Sequence, residues 1–272
     1  MSRLAASFNQ WRREGRKAMI PYLTGGDPDL ETSYSLARAC AGAGAEVLEI
    51  GIPFSDPTAD GPVIQAAVKR ALRAGATCRK VLQLVSRLRQ ETDVPVVLLV
   101  YFNTMVNYGE EEFLVSCRAA GVDGLVIPDL PLREAGPLLE TGRRLGIDFI
   151  QMLAPTSPLS RIKEAAATAS GFIYCVGHVG VTGARPAISA ELPDFIARVR
   201  AETDIALAAG FGISSPEQAA SIAPLVDGVI VGSAFISCLI EHMNRYGIGA
   251  AAPAAADFIR AYRSALGRFM LN

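Results

Sequence analysis

Short apolar runs recur along the chain, and a longer stretch of mixed polar and apolar positions follows most of them. The runs at 19–23, 47–52, 94–101, 124–127, 149–153, 172–176, 205–209 and 228–231 predict strands. The stretches at 30–43, 63–74 with 80–88, 111–120, 132–145, 160–169, 192–200 and 216–223 carry apolar residues at helical spacing and predict helices. Strands alternating with helices build parallel βαβ units. Near-continuous apolar strands predict a sheet covered on both faces. A leading helix is expected at about 4–14. The Ala- and Pro-rich stretch 247–256 reads as a loop before a final amphipathic helix at 257–271.

Eight such units in about 250 residues match the size of a (β/α)8 TIM barrel. The expectation is α/β, a single domain over 1–272, with the extra N-terminal helix capping the barrel bottom. The rival is a doubly wound open sheet. No Gly-x-Gly-x-x-Gly follows the first strand, as a dinucleotide fold would want. No repeat of close sequence identity is visible.

Composition narrows the function classes. Of 272 residues 50% are hydrophobic, and 26 Lys+Arg against 27 Asp+Glu leave a formal charge of -1. That balance gives no basic face for nucleic acid and no charged surface for a membrane. Cys40, Cys78, Cys117, Cys175 and Cys238 are scattered and lack C-x-x-C spacing, so neither a disulfide framework nor a metal site is expected, and a cytoplasmic setting is. The N-terminus carries Arg3, Arg12, Arg13 and Arg16 without an apolar core, unlike a signal peptide. The apolar stretch 228–240 is too short to span a bilayer.

One strand carries a charge. In Val47-Leu48-Glu49-Ile50-Gly51-Ile52 the side chains alternate faces. Leu48, Ile50 and Ile52 suit the helical layer, so Glu49 points into the barrel. Burying a carboxylate there is costly unless something uses it. Its place near the C-terminal end of a strand is where barrels of this kind hold their active sites. Partial desolvation would raise its pKa and suit it to exchange protons. The alternative is a structural Glu paired with an inward Lys or Arg. The loop that follows holds Asp56 and Asp60, each a candidate for substrate contact or for capping the helix near Pro62.

Glycine-bearing loops close the last three strands: Gly180-Val181-Thr182-Gly183, Gly210-Phe211-Gly212-Ile213-Ser214-Ser215 and Gly232-Ser233-Ala234. Glycine lets backbone amides approach an anion, and barrels commonly bind phosphate after strands seven and eight.

Taken together, these residues resemble the tryptophan synthase α subunit family. The resemblance is carried by Glu49-Ile50-Gly51-Ile52-Pro53-Phe54-Ser55-Asp56-Pro57 with Ala59-Asp60-Gly61-Pro62, by Ile20-Pro21-Tyr22 with Gly26-Asp27-Pro28, and by the three glycine loops, in order from about 18 to 235. It implies retro-aldol cleavage of indole-3-glycerol phosphate to indole and glyceraldehyde 3-phosphate, in the last steps of L-tryptophan biosynthesis. By position it implies Glu49 as the proton-transferring acid and base, and Asp60 as the partner of the indole N–H. It places the phosphate on Gly183, Gly212, Gly232 and Ser233, and lines the indole pocket with Tyr22, Leu99, Val126, Phe211 and Ile230. Tyr174 matches a tyrosine near the catalytic glutamate, and Thr182 a loop that closes over substrate and meets Asp60. His178 stands where many members have arginine, and Tyr22 where phenylalanine is common.

The resemblance also implies a partner, a tryptophan synthase β subunit in an α2β2 assembly. Pyridoxal phosphate would belong to that partner, with no cofactor in this chain. An alternative is a stand-alone indole-3-glycerol phosphate lyase releasing free indole. A different phosphate-binding barrel would explain the glycine loops but not Glu49 together with Asp60. A purely regulatory subunit would not need either carboxylate.

Overall fold

The computed structural model describes residues 2–177, 191–210 and 212–267. Eight parallel strands close on themselves in chain order: β1 (Ala18–Thr24), β2 (Leu48–Gly51), β3 (Val96–Leu99), β4 (Gly124–Val126), β5 (Asp148–Leu153), β6 (Phe172–Val176), β7 (Ala206–Gly210) and β8 (Gly228–Val231). Closure is made where β1 pairs with β8, with Ala18 opposite Gly228 and Ile20 opposite Ile230. The helices are α1 (Arg3–Arg13), α2 (Leu30–Gly42), α3 (Pro62–Arg73), α4 (Cys78–Arg89), α5 (Phe102–Tyr108), α6 (Glu110–Ala120), α7 (Gly136–Leu145), α8 (Leu159–Thr168), α9 (Leu192–Arg200), α10 (Pro216–Ile222), α11 (Ser233–Tyr246) and α12 (Ala251–Leu266).

Strand alternation divides the core in two. Leu48, Ile50, Leu98, Leu125, Ile173 and Val229 face the helical layer, and their counterparts Val47, Val97, Val126, Ile150, Phe172, Ala208 and Ile230 fill the barrel. The bottom is plugged by α1, whose Leu4, Phe8 and Trp11 join the inner cluster. Phe8 meets Trp11 edge-on at 5.1 Å and Phe172 at 5.5 Å between ring centres. Trp11 is therefore a packing residue.

A fourfold device recurs at the barrel bottom. Between each odd strand and the next, a residue just before the even strand makes two reciprocal hydrogen bonds. Glu46 does so with Met19, Asp123 with Val96, Ser170 with Phe149 and Asp227 with Leu207. In each pair that residue's amide donates to the odd-strand carbonyl, and its side chain accepts the odd-strand amide at 2.8–3.0 Å. Arginines reinforce three of the four: Arg16 and Arg263 on Glu46, Arg89 on Asp123, and Arg12 with Arg200 on Asp227.

Three expectations are corrected. The apolar run to 101 does not stay extended, because β3 stops at Leu99 and α5 begins at Phe102. The stretch 247–256 is not a loop throughout: a short 3-10 turn, Ile248–Ala250, leads directly into α12. Pro253 falls in that helix's first turn, where proline costs nothing in hydrogen bonds. Neither Asp56 nor Asp60 caps α3, whose N-cap is Gly61 with Pro62 at the first helical position. Among the described residues no helix is long and apolar enough to cross a membrane.

Candidate active site

Glu49 points into the barrel. It pairs in register with Tyr22 of β1 and Val97 of β3, on the face opposite to Leu48 and Ile50. It is 2% exposed, and neither carboxylate oxygen has a hydrogen-bond partner. Among the described residues no Lys or Arg pairs with it. Burial, and then the charge of nearby Asp60, push the Glu49 carboxyl up to about 8. An unpartnered buried carboxyl of this kind is held neutral and is free to give or take a proton.

Asp60 reaches the same interior from the loop between β2 and α3. It is 5% exposed, and burial lifts it to about 6 although a hydrogen bond from Tyr101 opposes the rise. Asp60 ionises first, while Glu49 is still protonated, which is why its charge acts on Glu49 and not the reverse. Near neutrality the site holds one carboxylate and one carboxylic acid. Asp56, in the same loop, is exposed.

Tyr101 is the residue of this site that sequence reasoning missed. Its hydroxyl hydrogen-bonds Asp60 and accepts the Ala59 amide at 3.1 Å. Its ring stacks on Phe54 at 5.1 Å. Tyr101 therefore grips the Asp60 loop at both ends. The available signal was an aromatic at the C-terminal end of a barrel strand, but its partner lies 41 positions earlier and no local pattern links them.

Two glycines make room for two tyrosines. A Cβ on Gly51 would fall 2.1 Å from the Tyr22 hydroxyl, and one on Gly210 would fall 2.7 Å from the Tyr174 ring. Both positions face inward, beside the strands that carry the tyrosines. Burial raises both hydroxyls well above the usual tyrosine range, with the neighbouring Asp60 and Glu49 charges adding to it. Leu99, Val126 and Ile230 pack on the same inner face, so the predicted pocket residues that are described come together.

The rim above β7 and β8 is rich in free backbone geometry. Gly212 takes a left-handed conformation at φ 68°. Gly232 is the N-cap of α11, and the first helical bond there is from the Ile236 amide to its carbonyl at 3.0 Å. The amides at 233–235 thus precede the helical ladder and present donors and a positive dipole end. The place of a Cβ on Gly232 lies 3.5 Å from Tyr22 and 3.7 Å from Ile64, so these amides lie beside the Tyr22 side chain. Thr182, Gly183 and Phe211, and with them His178, lie outside the described residues.

This geometry can be set beside known proteins. A family model described as tryptophan synthase alpha chain matches residues 8–256. The chain belongs to the tryptophan synthase alpha chain family. The match contains both inward carboxylates and the glycine rim. The tryptophan synthase alpha chain of Gluconacetobacter diazotrophicus is 45% identical over 273 residues, covering 100% of this chain and 99% of its own. That of Caldanaerobacter subterraneus subsp. tengcongensis is 44% identical over 245 residues, covering 90% and 93%. Among solved structures, a Mycobacterium tuberculosis tryptophan synthase in space group F222 aligns at TM-score 0.90 and 34% identity, covering 100% of this chain and 99% of that one. Tryptophan synthase subunit alpha from Legionella pneumophila str. Paris aligns at TM-score 0.91 and 34% identity, covering 98% and 99%. These relatives carry the synthase name and lend no support to the stand-alone lyase.

Proposed function

We propose that the chain cleaves indole-3-glycerol phosphate to indole and glyceraldehyde 3-phosphate, with Glu49 moving the protons and Asp60 holding the ring nitrogen. The observation that carries this reading is the pair of buried carboxylates sharing one interior, one neutral and one charged near neutral pH.

The reaction breaks the bond between indole C3 and the first glycerol carbon. C3 must gain a proton, and the hydroxyl on the departing carbon must lose one as it becomes the aldehyde. Protonated Glu49 supplies the first and its carboxylate accepts the second, so the group ends as it began. No hydrogen bond must be broken to free it. Protonation at C3 places positive charge on the ring, shared with its nitrogen. The Asp60 carboxylate, fixed by Tyr101 in a site shielded from water, stabilises that charge more than it stabilises the neutral substrate. Tyr22, Leu99, Val126, Tyr174 and Ile230 supply the walls for the flat apolar ring, with Phe211 beside them. Gly183, Gly212, Gly232 and Ser233 hold the phosphate through amides, and Thr182 belongs to a closing loop that meets Asp60.

Indole is uncharged and apolar, so the product suits a consumer docked to this chain. The partner in this reading is a tryptophan synthase β subunit in an α2β2 assembly, which would carry pyridoxal phosphate; the setting is cytoplasmic. The test is indole release by the full chain, alone and with a β subunit. Glu49→Gln is expected to abolish cleavage, and Asp60→Asn to cost about 2–4 kcal/mol of transition-state stabilisation, by analogy with loss of an oxyanion donor. Full activity in either variant would overturn the assignment, and fast cleavage unaffected by a β subunit would overturn the partnership.

A further inference from the structure

Arg70 lies toward the far end of α3 from Asp60, yet it is locked to the turn after β1. Its Nε and Nη2 each donate to one oxygen of Asp27, both at 2.8 Å, and Asp27 is 8% exposed. A two-pronged guanidinium–carboxylate pair fixes orientation as well as distance. Two packing contacts join the same segments. Ala76, just past α3, sits so close to Gly26 that a Cβ there would fall 2.6 Å from its own, and Val81 of α4 closes on Gly25 in the same way at 2.8 Å. The turn is itself braced: Asp27 donates its amide to the Thr24 carbonyl at 3.1 Å, and Gly26 donates to Ser33 Oγ at 3.0 Å. Gly25-Gly26-Asp27 is shaped to receive the far end of α3.

The near end of α3 carries Asp60. Gln65, in the first turn, donates Nε2 to the Asp60 carbonyl at 2.9 Å. Between the two ends, Ile64, Ala67 and Val68 pack with Tyr22 and Ile236. Apolar contacts of this kind are non-directional and do little to oppose a small roll of the helix. The Asp27–Arg70 fork is the directional contact, and a helix of 12 residues transmits its setting as a rigid rod.

We propose that Asp27 and Arg70 are positioning residues for the reaction: their fork sets the roll of α3 and so places the Asp60 carboxylate against the ring nitrogen. This rests on the reading of Asp60 given above and deepens it. The titratable groups facing Asp60 are Tyr101, Glu49, Tyr22 and Tyr174, and those facing Asp27 are Arg70 and Asp29. The fork is absent from the first set, so it acts on Asp60 through position and not through its charge.

The test uses the full chain with indole-3-glycerol phosphate and four variants: Arg70→Met, Arg70→Lys, Asp60→Asn and the Arg70→Met/Asp60→Asn double. Arg70→Met is expected to lower kcat ten- to a hundredfold, roughly what a misplacement of about 1 Å costs, with little change in KM. Arg70→Lys, which keeps the charge without the fork, should recover only part of the loss. In the Asp60→Asn background Arg70→Met should cost nothing further, because residues acting through one group are not additive. The acid limb of the pH profile should also move below its wild-type position as Asp60 gains water. Wild-type kcat in Arg70→Met, or the same loss in both backgrounds, would overturn the proposal. If Arg70→Met does not fold, Asp27→Asn, which keeps the shape and one acceptor, answers by the same pair of backgrounds. An active Asp60→Asn would instead sink the site reading itself, whatever Arg70→Met does.

Discussion

Glu49→Gln is expected to stabilise the protein while stopping the reaction, and the stabilisation has a pH dependence fixed by burial. The carboxyl titrates near 8 in the folded chain against 4.5 when unperturbed. Between those values the folded chain keeps a proton that the unfolded chain has released. Folding stability therefore falls as pH rises through this window, is unaffected by Glu49 below it, and is level above it. At about 1.4 kcal/mol per pH unit, the cost at pH 7 is ~3 kcal/mol as an upper figure. Glutamine keeps the shape and removes the charge. Its buried amide carries a cost of its own, but one that does not vary with pH.

The assay is urea unfolding of both proteins from pH 5 to pH 9, with stability extrapolated to water. The difference, variant minus wild type, should grow by ~2 kcal/mol between pH 5 and pH 7 and flatten above pH 8. Asp60 is also raised, from 3.8 to about 6, but by burial and not by Glu49, so its contribution is common to both proteins and cancels. A difference that stays flat across the range would refute the assignment of Glu49 as a desolvated, unpartnered acid. So would a wild type that gains on the variant as pH rises.

Three further outcomes follow from the same geometry. Tyr101→Phe removes the hydrogen bond that holds Asp60 down, so the acid limb of kcat/KM should move above pH 6 and kcat/KM should fall by an amount worth about 1.5–3 kcal/mol, read from pH–rate profiles. Gly51→Ala places a methyl where the Tyr22 hydroxyl now lies, 2.1 Å from it; cleavage should drop tenfold or more, on the order of a misplaced pocket wall, while far-UV circular dichroism stays that of a barrel. For Asp227, burial opposes ionisation but hydrogen bonds from Arg12, Leu207 and Arg200 outweigh it and bring the carboxyl to about 2. Its stabilisation is present above 3.8 and lost as pH falls through 2, so Asp227→Asn should cost about 3–5 kcal/mol in urea at pH 7 and much less near pH 2.

Much of this molecule is legible without coordinates because periodicity reports burial directly. The eight strands are short apolar runs buried on both faces, and Glu49 stands out because one charge interrupts such a run on its inward side. Elements set by tertiary contact are less legible. The polar start of α5, with Asn103 and Thr104 following an apolar strand, gives no helical face to read. The helix at 251–256 was readable in principle: alanine is the best helix former, and Pro253 is admissible only because it falls in the first turn. Asp60 was placed in the pocket by resemblance and not by spacing, since a loop after a strand can turn its carboxylate either way. Tyr101 offered only the weak signal of an aromatic just past a barrel strand, because what it does is meet a loop from another unit.

The bottom clamps show why a repeat can be strong in structure and silent in sequence. Four units repeat the same pair of reciprocal hydrogen bonds, but the accepting side chain is Glu46, Asp123, Ser170 or Asp227, and the bond asks only for an oxygen on a short stem. The segment leading into and through β2 then carries two acids with opposite treatment. At its foot Glu46 has a backbone amide and two arginines; three residues on, Glu49 has nothing. A carboxylate with partners at every oxygen ties elements together and cannot readily exchange a proton. One with no partner destabilises the fold and exchanges protons readily. Of the partnered kind, Asp227 is held down to about 2 by Arg12, Leu207 and Arg200 and so stabilises the fold at the end of the barrel away from the chemistry. Stability and reactivity are thus separated along the barrel axis, and the same residue type does both tasks according to which end of a strand it occupies.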